Sequence, residues 1–422
     1  MKEEKKKTIS QTILEPFQAL RNKVFARLYL AQTISLMGDA FTWVGLALLA
    51  YQLDKNNSMV ILATALTLRV TAFIIFSPFA GVLADKVDRK KILYSTHFLR
   101  MAIICCLPFI TSEWQIYVLV FFLNVFNAFF TPTYRAIIPQ VIEEKYYREA
   151  VGLSTATHQL LGILGPALAG IVAVWLGARE IFFVDAVSFI VAAVLILTIP
   201  KHELQKGISV KARQEHNTWG NVIKGIRLLF GNKILRFALS IEFVSAIAGA
   251  MILVNTISHI KNGLHLDNKY YGWVMAAFGF GAAIAAFVAG SLDKSKTRNI
   301  SLISGALLLG VTICFANYVP YPALIFLWLF AGLGQSLAEM PSETLIAENI
   351  ASADQGKVYG SHFAFSHLWW AIAYPIAGYV GTAFPNSNFL YGGLLTLLFA
   401  VTAILIFKPS FKSSIQNLIT TK

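Results

Sequence analysis

Several ionisable side chains fall inside long apolar runs of this sequence: Asp39, Arg69, His97, Arg100, His158, Asp185, Glu242, Glu339, Glu343, His362 and His367. A charge at the centre of a bilayer costs ~2.5–3.5 kcal/mol on insertion scales, so such groups face a cavity or one another. Imidazole and carboxylate together suit two kinds of chemistry: they ligate divalent transition metals, and histidine exchanges a proton near neutral pH. Counted from the basic ends of their runs, His158, Glu242 and Glu339 lie about eight residues deep, ~12 Å at 1.5 Å per residue. His362 and His367 lie about six and eleven deep on the same scale, so these groups share one layer. The two histidines stand about 140° apart around a helix, which lets only one face a shared pathway. His367 is preferred, because it precedes Pro375 by the same interval that separates His158 from Pro166. The plain alternative is that each histidine hydrogen-bonds a neighbouring helix.

Depth also pairs Asp39 with Arg69, both close to the midplane of their runs, with Arg100 as a competitor. Asp39 is equally a candidate proton carrier, its pKa raised by desolvation and lowered by a nearby arginine. Gln335, Glu339 and Glu343 recur every four residues and lay one polar stripe along an otherwise apolar helix. Glu339 is the better proton-exchanging group, since Glu343 is close enough to the surface to be merely solvated. Asp39, Arg69 and Glu339 are therefore the proton-coupling candidates. His158, His367, His362, Glu242, Glu343, Trp370 and Tyr374 are the substrate-binding candidates. Trp370 and Tyr374 would stack an organic molecule, or pack against lipid and neighbouring helices.

The elements that must position these groups are membrane spans. The chain is 56% hydrophobic and only 14% charged, against about 25% charged in a soluble protein. Apolar runs of the length needed to cross a ~30 Å hydrocarbon core recur from end to end. They read as twelve spans: 28–52, 60–84, 92–111, 114–138, 151–176, 180–199, 234–259, 270–292, 299–318, 321–347, 356–383 and 388–407. No apolar core follows the basic start soon enough for a signal peptide. Residues 1–27 instead read as an amphipathic surface helix carried by Ile13, Phe17, Leu20 and Val24. Of 35 lysines and arginines, only Lys55, Arg179, Lys261 and Lys269 fall in the loops on one side, and only Arg69, Arg100 and Arg135 within spans. The positive-inside rule then makes both termini and the segment 200–233 cytoplasmic. The net charge of +13 needs no nucleic acid to explain it. Cys105, Cys106 and Cys314 lie in spans without metal-type spacing.

Segment 200–233 divides the chain into bundles 28–199 and 234–407, followed by a tail, 408–422. The halves echo each other in AGVLADK and AGSLDK, in TPTYRAII and MPSETLIA, and in HQLLGILGP and HLWWAIAYP. The expected fold is all-α, with twelve transmembrane helices in two six-helix bundles related by a pseudo-twofold axis, and substrate near the midplane between them.

The loop after the second span, GVLADKVDRKKIL, resembles the signature of the major facilitator superfamily, G-x-x-x-D-[RK]-x-x-R-[RK], with Gly81, Asp85, Lys86, Arg89 and Lys90 matching. Asp88 stands at the usual second glycine, as in efflux branches of that family. GILGPALAG in the fifth span resembles the family's antiporter motif: Gly165, Pro166 and Gly170 match, and Ala169 stands for a glycine. The resemblance implies alternating access, a cavity lined by the first, fourth, seventh and tenth spans, and export coupled to proton antiport. Stretches 27–50, 129–141, 344–360 and 366–375 are similar to nickel-resistance exporters of bacterial inner membranes, next to siderophore and macrolide exporters. The tail KPSFKSSIQNLITTK has no histidine, unlike that of some nickel exporters.

Together these readings describe a multi-pass exporter of the inner (plasma) membrane, a monomer whose partners are a small substrate, protons and lipid. No cofactor and no resident metal are expected; His158, His367 and Glu339 are the candidates for a transported nickel or cobalt ion. The alternative substrate is an organic molecule such as a siderophore or macrolide-type drug. A non-transporting sensor would leave the loop motif and the polar stripe without purpose. No phosphate-binding G-x-x-x-x-G-K-[ST] loop and no hydrolytic nucleophile set occur, so an ATP-driven pump and an enzyme are both disfavoured.

Overall fold

In hydrocarbon every backbone N–H and C=O must find its partner within the protein, and a helix achieves this inside one segment. The structure, a computed structural model, accordingly consists of helices and short turns. It describes residues 15–143, 146–204, 218–292 and 298–408; the side chains of 80–86, 286–292 and some others, Pro166 among them, lie outside the described set. The first half holds α1 (Lys23–Leu53), α2 (Ser58–Lys86), α3 (Arg89–Cys106), α4 (Glu113–Val141), α5 (Tyr147–Leu176) and α6 (Ile181–Leu197). A further helix, α7 (Thr218–Gly231), precedes the second half. That half holds α8 (Lys233–Ser258), α9 (Asn268–Leu292), α10 (Arg298–Cys314), α11 (Tyr321–Glu339), α12 (Pro341–Asn349), α13 (Ser352–Ala383) and α14 (Asn388–Phe407). Each expected span has its helix. Among the described residues, eight helical segments are long and apolar enough to cross a membrane by length and composition.

Local chemistry sets the helix ends. Asn22 Oδ1 accepts from the Val24 and Phe25 amides, both at 3.0 Å, and so starts α1. Asn232 caps α8 in the same way, accepting from Ile234 at 2.9 Å and Leu235 at 3.2 Å. Asp54 makes the turn from α1 to α2 by accepting from Asn56, Asn57 and the Asn57 side-chain amide. Those bonds, the Asn57 side chain foremost, hold its carboxyl below the usual carboxylate range. Asp88, at the departure from the superfamily signature, caps α3 through the Lys90 amide at 3.0 Å. Lys90 Nζ in turn donates to the Leu197 carbonyl at the end of α6 (2.9 Å), where a cation opposes the helix dipole.

Three features depart from the expected spans. The run 321–347 breaks at Met340 into α11 and α12. Pro341 has no N–H for the Leu337 carbonyl, and Ser301 Oγ of α10 supplies that hydrogen bond at 3.0 Å. Segment 200–233 contains a helix, α7, whose Gly225 lies against the Lys357 carbonyl and Ser361 Oγ of α13. The described part of the N-terminal segment is a short 3-10 turn, Glu15–Arg21, followed directly by α1.

Each half packs on its own helices, and the halves meet along α2 with α13 and α5 with α9. Lipid tails are as apolar as leucine, so small residues that admit close approach hold such helices together. Gly170 of α5 is so close to Gly272 of α9 that a Cβ on it would lie 2.3 Å from the Gly272 Cα. Gly378 of α13 meets Ala63, Met59 and Val60 of α2. Both junctions lie toward the face opposite the basic loops, called here the far face. There Tyr51 donates to Asn262 Oδ1 at 2.5 Å, and Asn262 Nδ2 reaches the Lys55 carbonyl at 3.5 Å. Asn262 sits in a wider turn that ends α8, His259–Gly263, closed by an i→i+5 bond from Leu264 N to His259 O at 2.9 Å. Among described residues, every hydrogen bond between the halves is at this far face.

Candidate functional site

In the first half, α1, α3 and α6 bring together a buried ionic cluster. Arg100 is 2% exposed, bonds Asp39 Oδ1 at 2.5 Å and lies 4.1 Å over the Phe189 ring. Asp185 is fully buried; its carboxylate accepts from Thr42 Oγ1 at 2.5 Å and Ser188 Oγ at 2.9 Å. Gly38 makes room for this group, because a Cβ there would overlap Ser188 Oγ and the Asp185 carboxylate. Asp39 and Arg100 are both within electrostatic reach of Asp185. His97 packs against Phe130 and Phe189 at 4.5 and 5.7 Å, and neither ring nitrogen has a hydrogen-bond partner among the described residues.

The second half assembles a different cluster from α8, α11 and α13. His362 Nε2 lies 2.7 Å from Glu242 Oε1. Glu339 accepts from Ser245 Oγ at 3.0 Å and from Gln335 Nε2 at 2.5 Å. It is the last residue of α11, one position before the break. Glu242 and Glu339 feel each other's charge, and Glu343 that of His362. Glu343 itself is exposed, with its backbone carbonyl taken by Tyr359 Oη at 3.0 Å.

Arg69 lies between the halves. Its guanidinium sits 4.0 Å over the Trp43 ring, and among the described residues no carboxylate pairs with it. His158 of α5, and His367 and Tyr374 of α13, are within its electrostatic reach. The expected Asp39–Arg69 pair is thus replaced by Asp39–Arg100. Both arginines match Asp39 in depth, but only Arg100 is on a helix that presents it to that side of α1.

The expected single layer of histidines and carboxylates divides in two. His362, Glu242 and Glu339 come together. His367 does not join them: its Nδ1 contacts the Phe363 carbonyl at 2.8 Å, and its ring stacks on Phe363 and on Phe73 of α2 at 3.9 and 5.9 Å. His158 is exposed and within electrostatic reach of Arg135, Arg69 and Asp39. Among the described residues no group of three or more His, Cys, Asp and Glu is placed to hold a metal ion. Trp370 and Tyr374 are adjacent, 5.4 Å between ring centroids, with Trp370 against Gly249 and Tyr374 in reach of both Arg69 and Glu339.

The motif residues have mechanical surroundings. Gly165 lets α5 approach Ala40 of α1, and Gly170 forms the junction with Gly272. Arg89 is buried and Lys90 fastens α6; the side chains of Gly81, Asp85, Lys86 and Pro166 lie outside the described set. Ser245, Ser188, Thr42 and Phe73 escaped the sequence reading. A small hydroxyl or a phenylalanine in an apolar run carries no signal of its own until a neighbouring helix places a carboxylate or an imidazole beside it.

A sequence profile of the Major Facilitator Superfamily matches residues 28–252 and 238–420. An uncharacterized MFS-type transporter, YfiS of Bacillus subtilis, is 26% identical over 78% of this chain and 80% of its own length. Macrolide efflux protein A of Streptococcus pyogenes is 22% identical over 90% of this chain and 95% of its own. Among solved structures, the nucleoside transporter NupG superposes with a TM-score of 0.71 at 13% identity, covering 92% of this chain and 100% of that one. A bacterial homologue of the lysosomal transporter Spinster, in an inward-facing conformation, gives 0.71 at 15% identity over 93% of this chain and 97% of that one.

Proposed function

We propose that this chain, which belongs to the Major Facilitator Superfamily, exports a small organic solute across a bacterial plasma membrane in exchange for protons. Its fold and family make it a multi-pass membrane transporter; substrate class, coupling and orientation are our reading. The observation that carries the coupling is Glu339. Among the described residues its side chain is held by a hydroxyl and an amide alone, Ser245 and Gln335, so protonating it breaks no ion pair among them. It also stands at the α11–α12 break, where a change of charge can alter the bend. Glu242 and His362 beside it offer a second place for the proton.

The positive-inside rule makes the basic face cytoplasmic. With the halves hydrogen-bonded at the far face, we take the structure as a state that would open toward the cytoplasm. Rocking would break the Tyr51–Asn262 bond and the α5–α9 and α2–α13 junctions to release solute outside. An organic solute is favoured over nickel or cobalt because, among the described residues, no group of three His, Cys, Asp or Glu is placed to hold a metal ion, and both His158 and His367 are within electrostatic reach of Arg69 and Arg135. The relationship to a macrolide efflux protein points the same way.

Inside-out vesicles with an acid interior test this reading. Organic solutes added in turn, acidic and basic ones both included, should release protons with at least one of them, and Glu339→Gln should lower that release by on the order of 100-fold, as for loss of a proton-transferring group. Proton release with nickel or cobalt alone would replace the organic solute by a metal. Full coupling in Glu339→Gln would remove the proton carrier named here.

A further inference from the structure

Two arginines enter the first half at membrane depth, and they are seated alike but paired differently. Arg100 lies over Phe189 and bonds Asp39. Arg69 lies over Trp43 with no carboxylate partner among the described residues. It is half-buried on α2 at the junction of the halves, with His158, His367 and Tyr374 in electrostatic reach and the exposed Arg135 acting on the same histidines. The near carboxylate, Asp39, is already committed to Arg100. A guanidinium presents five donors in a rigid fork that matches a carboxylate bidentately. An aromatic seat beneath it holds that fork in place.

We infer that Arg69 is the recognition site for an anionic head group, so that the solute is an amphiphilic organic carboxylate whose apolar body lies along Trp43, Phe73, Trp370 and Tyr374. This rests on the export reading above and narrows it. The acid side of the interface, Glu339 with Glu242, then faces the other end of the solute and repels its carboxylate, which fixes the orientation. A basic drug would meet the opposite arrangement, with its cation driven away from Arg69.

The test is a matched pair of probes, 1-pyrenebutyrate and 1-pyrenebutylamine, which share an apolar body and differ in the sign of the head group. Binding to the full chain in lipid nanodiscs, without any gradient, is read by energy transfer from tryptophan to pyrene. The wild type should bind the carboxylate at least about tenfold tighter than the amine, the span of one charge-assisted contact. Arg69→Gln should erase that preference, and Arg69→Lys should keep part of it, having the charge without the fork. Equal binding, preference for the amine, or a carboxylate preference that survives Arg69→Gln overturns the assignment. The wild-type comparison stands even if a variant fails to fold. Carboxylate preference without proton release in vesicles would sink the exchange reading and leave Arg69 assigned. Proton-coupled export of amines by a chain that ignores the carboxylate would do the reverse.

Discussion

In the first half, Asp39 meets a guanidinium that is 2% exposed and seated on Phe189. In the second, Glu339 meets a serine and a glutamine, and Glu242 meets a histidine. Both halves bury carboxylates at membrane depth: the first commits Asp39 to an arginine and holds Asp185 with the Thr42 and Ser188 hydroxyls, and the second replaces the arginine by a histidine on Glu242. An arginine stays charged at any physiological pH, so removing the charge of Asp39 leaves an unpaired buried cation. The same change at Glu339 leaves two neutral groups, Ser245 and Gln335, and no unpaired charge among them. The contrast teaches that the two halves can bury carboxylates on different terms, Asp39 fixed by a permanent cation and Glu339 held by neutral hydrogen-bonding groups.

The largest effect that could break this comparison is at Arg100. Replacing it by leucine strands Asp39 beside Asp185 and should cost about 3–5 kcal/mol, the usual penalty for breaking a buried pair. Thermal unfolding of the purified protein reads this. His362→Gln should cost far less, because glutamine can still donate a hydrogen bond to Glu242 Oε1. Equal losses from the two changes would mean that both halves are structural.

An intermediate effect is expected where the halves touch. Gly170→Val forces a side chain into the Gly272 backbone, and overpacking of this kind costs about 1–3 kcal/mol. Here it is relieved by parting the far face, so the protein should shift toward the outward-open state. Spin labels at Lys55→Cys and Lys269→Cys, in a chain cleared of native cysteines, should show a longer distance; an unchanged distance would deny this junction a gating role. The smallest effect belongs to the polar staple between α7 and α13, where Asp354 bonds Lys224 and Lys357 at 2.7 and 2.8 Å. Lys224, and then Lys357, hold the Asp354 carboxyl below the usual carboxylate range. A lowered pKa means that the contribution is present above the ordinary carboxylate range and is lost as pH falls through the lowered value. Protection of the α7 amides, exchange corrected for the intrinsic rate at each pH, should therefore be the same at mildly acid and neutral pH, and lower in Asp354→Asn at both.

Hydropathy located the helices well because the bilayer imposes both length and composition on them. It could not see the break at Met340, although Pro341 was visible, because a proline within a span bends or interrupts it according to what its neighbours offer. Here Ser301 on another helix made the difference. Depth along a helix is also legible in a sequence, but the direction a side chain faces is not. That is why Asp39 appeared to match Arg69 as well as Arg100. The internal repeat drew attention to His367, yet the carboxylate waited for His362, five residues away on another face. Helix α7 went unread because its apolar residues sit in a stretch dominated by charge, though Leu229 is buried.

The wide turn His259–Gly263 at the end of α8 has a consequence for insertions and deletions. A helix advances about 100° per residue, and a π-turn absorbs one surplus residue without disturbing the helix before it. Deleting Ile260 would restore the regular winding and rotate Asn262 out of phase with Tyr51, unlatching the far face without altering any residue that touches solute. A single-codon deletion at that turn would therefore act as a gating mutation.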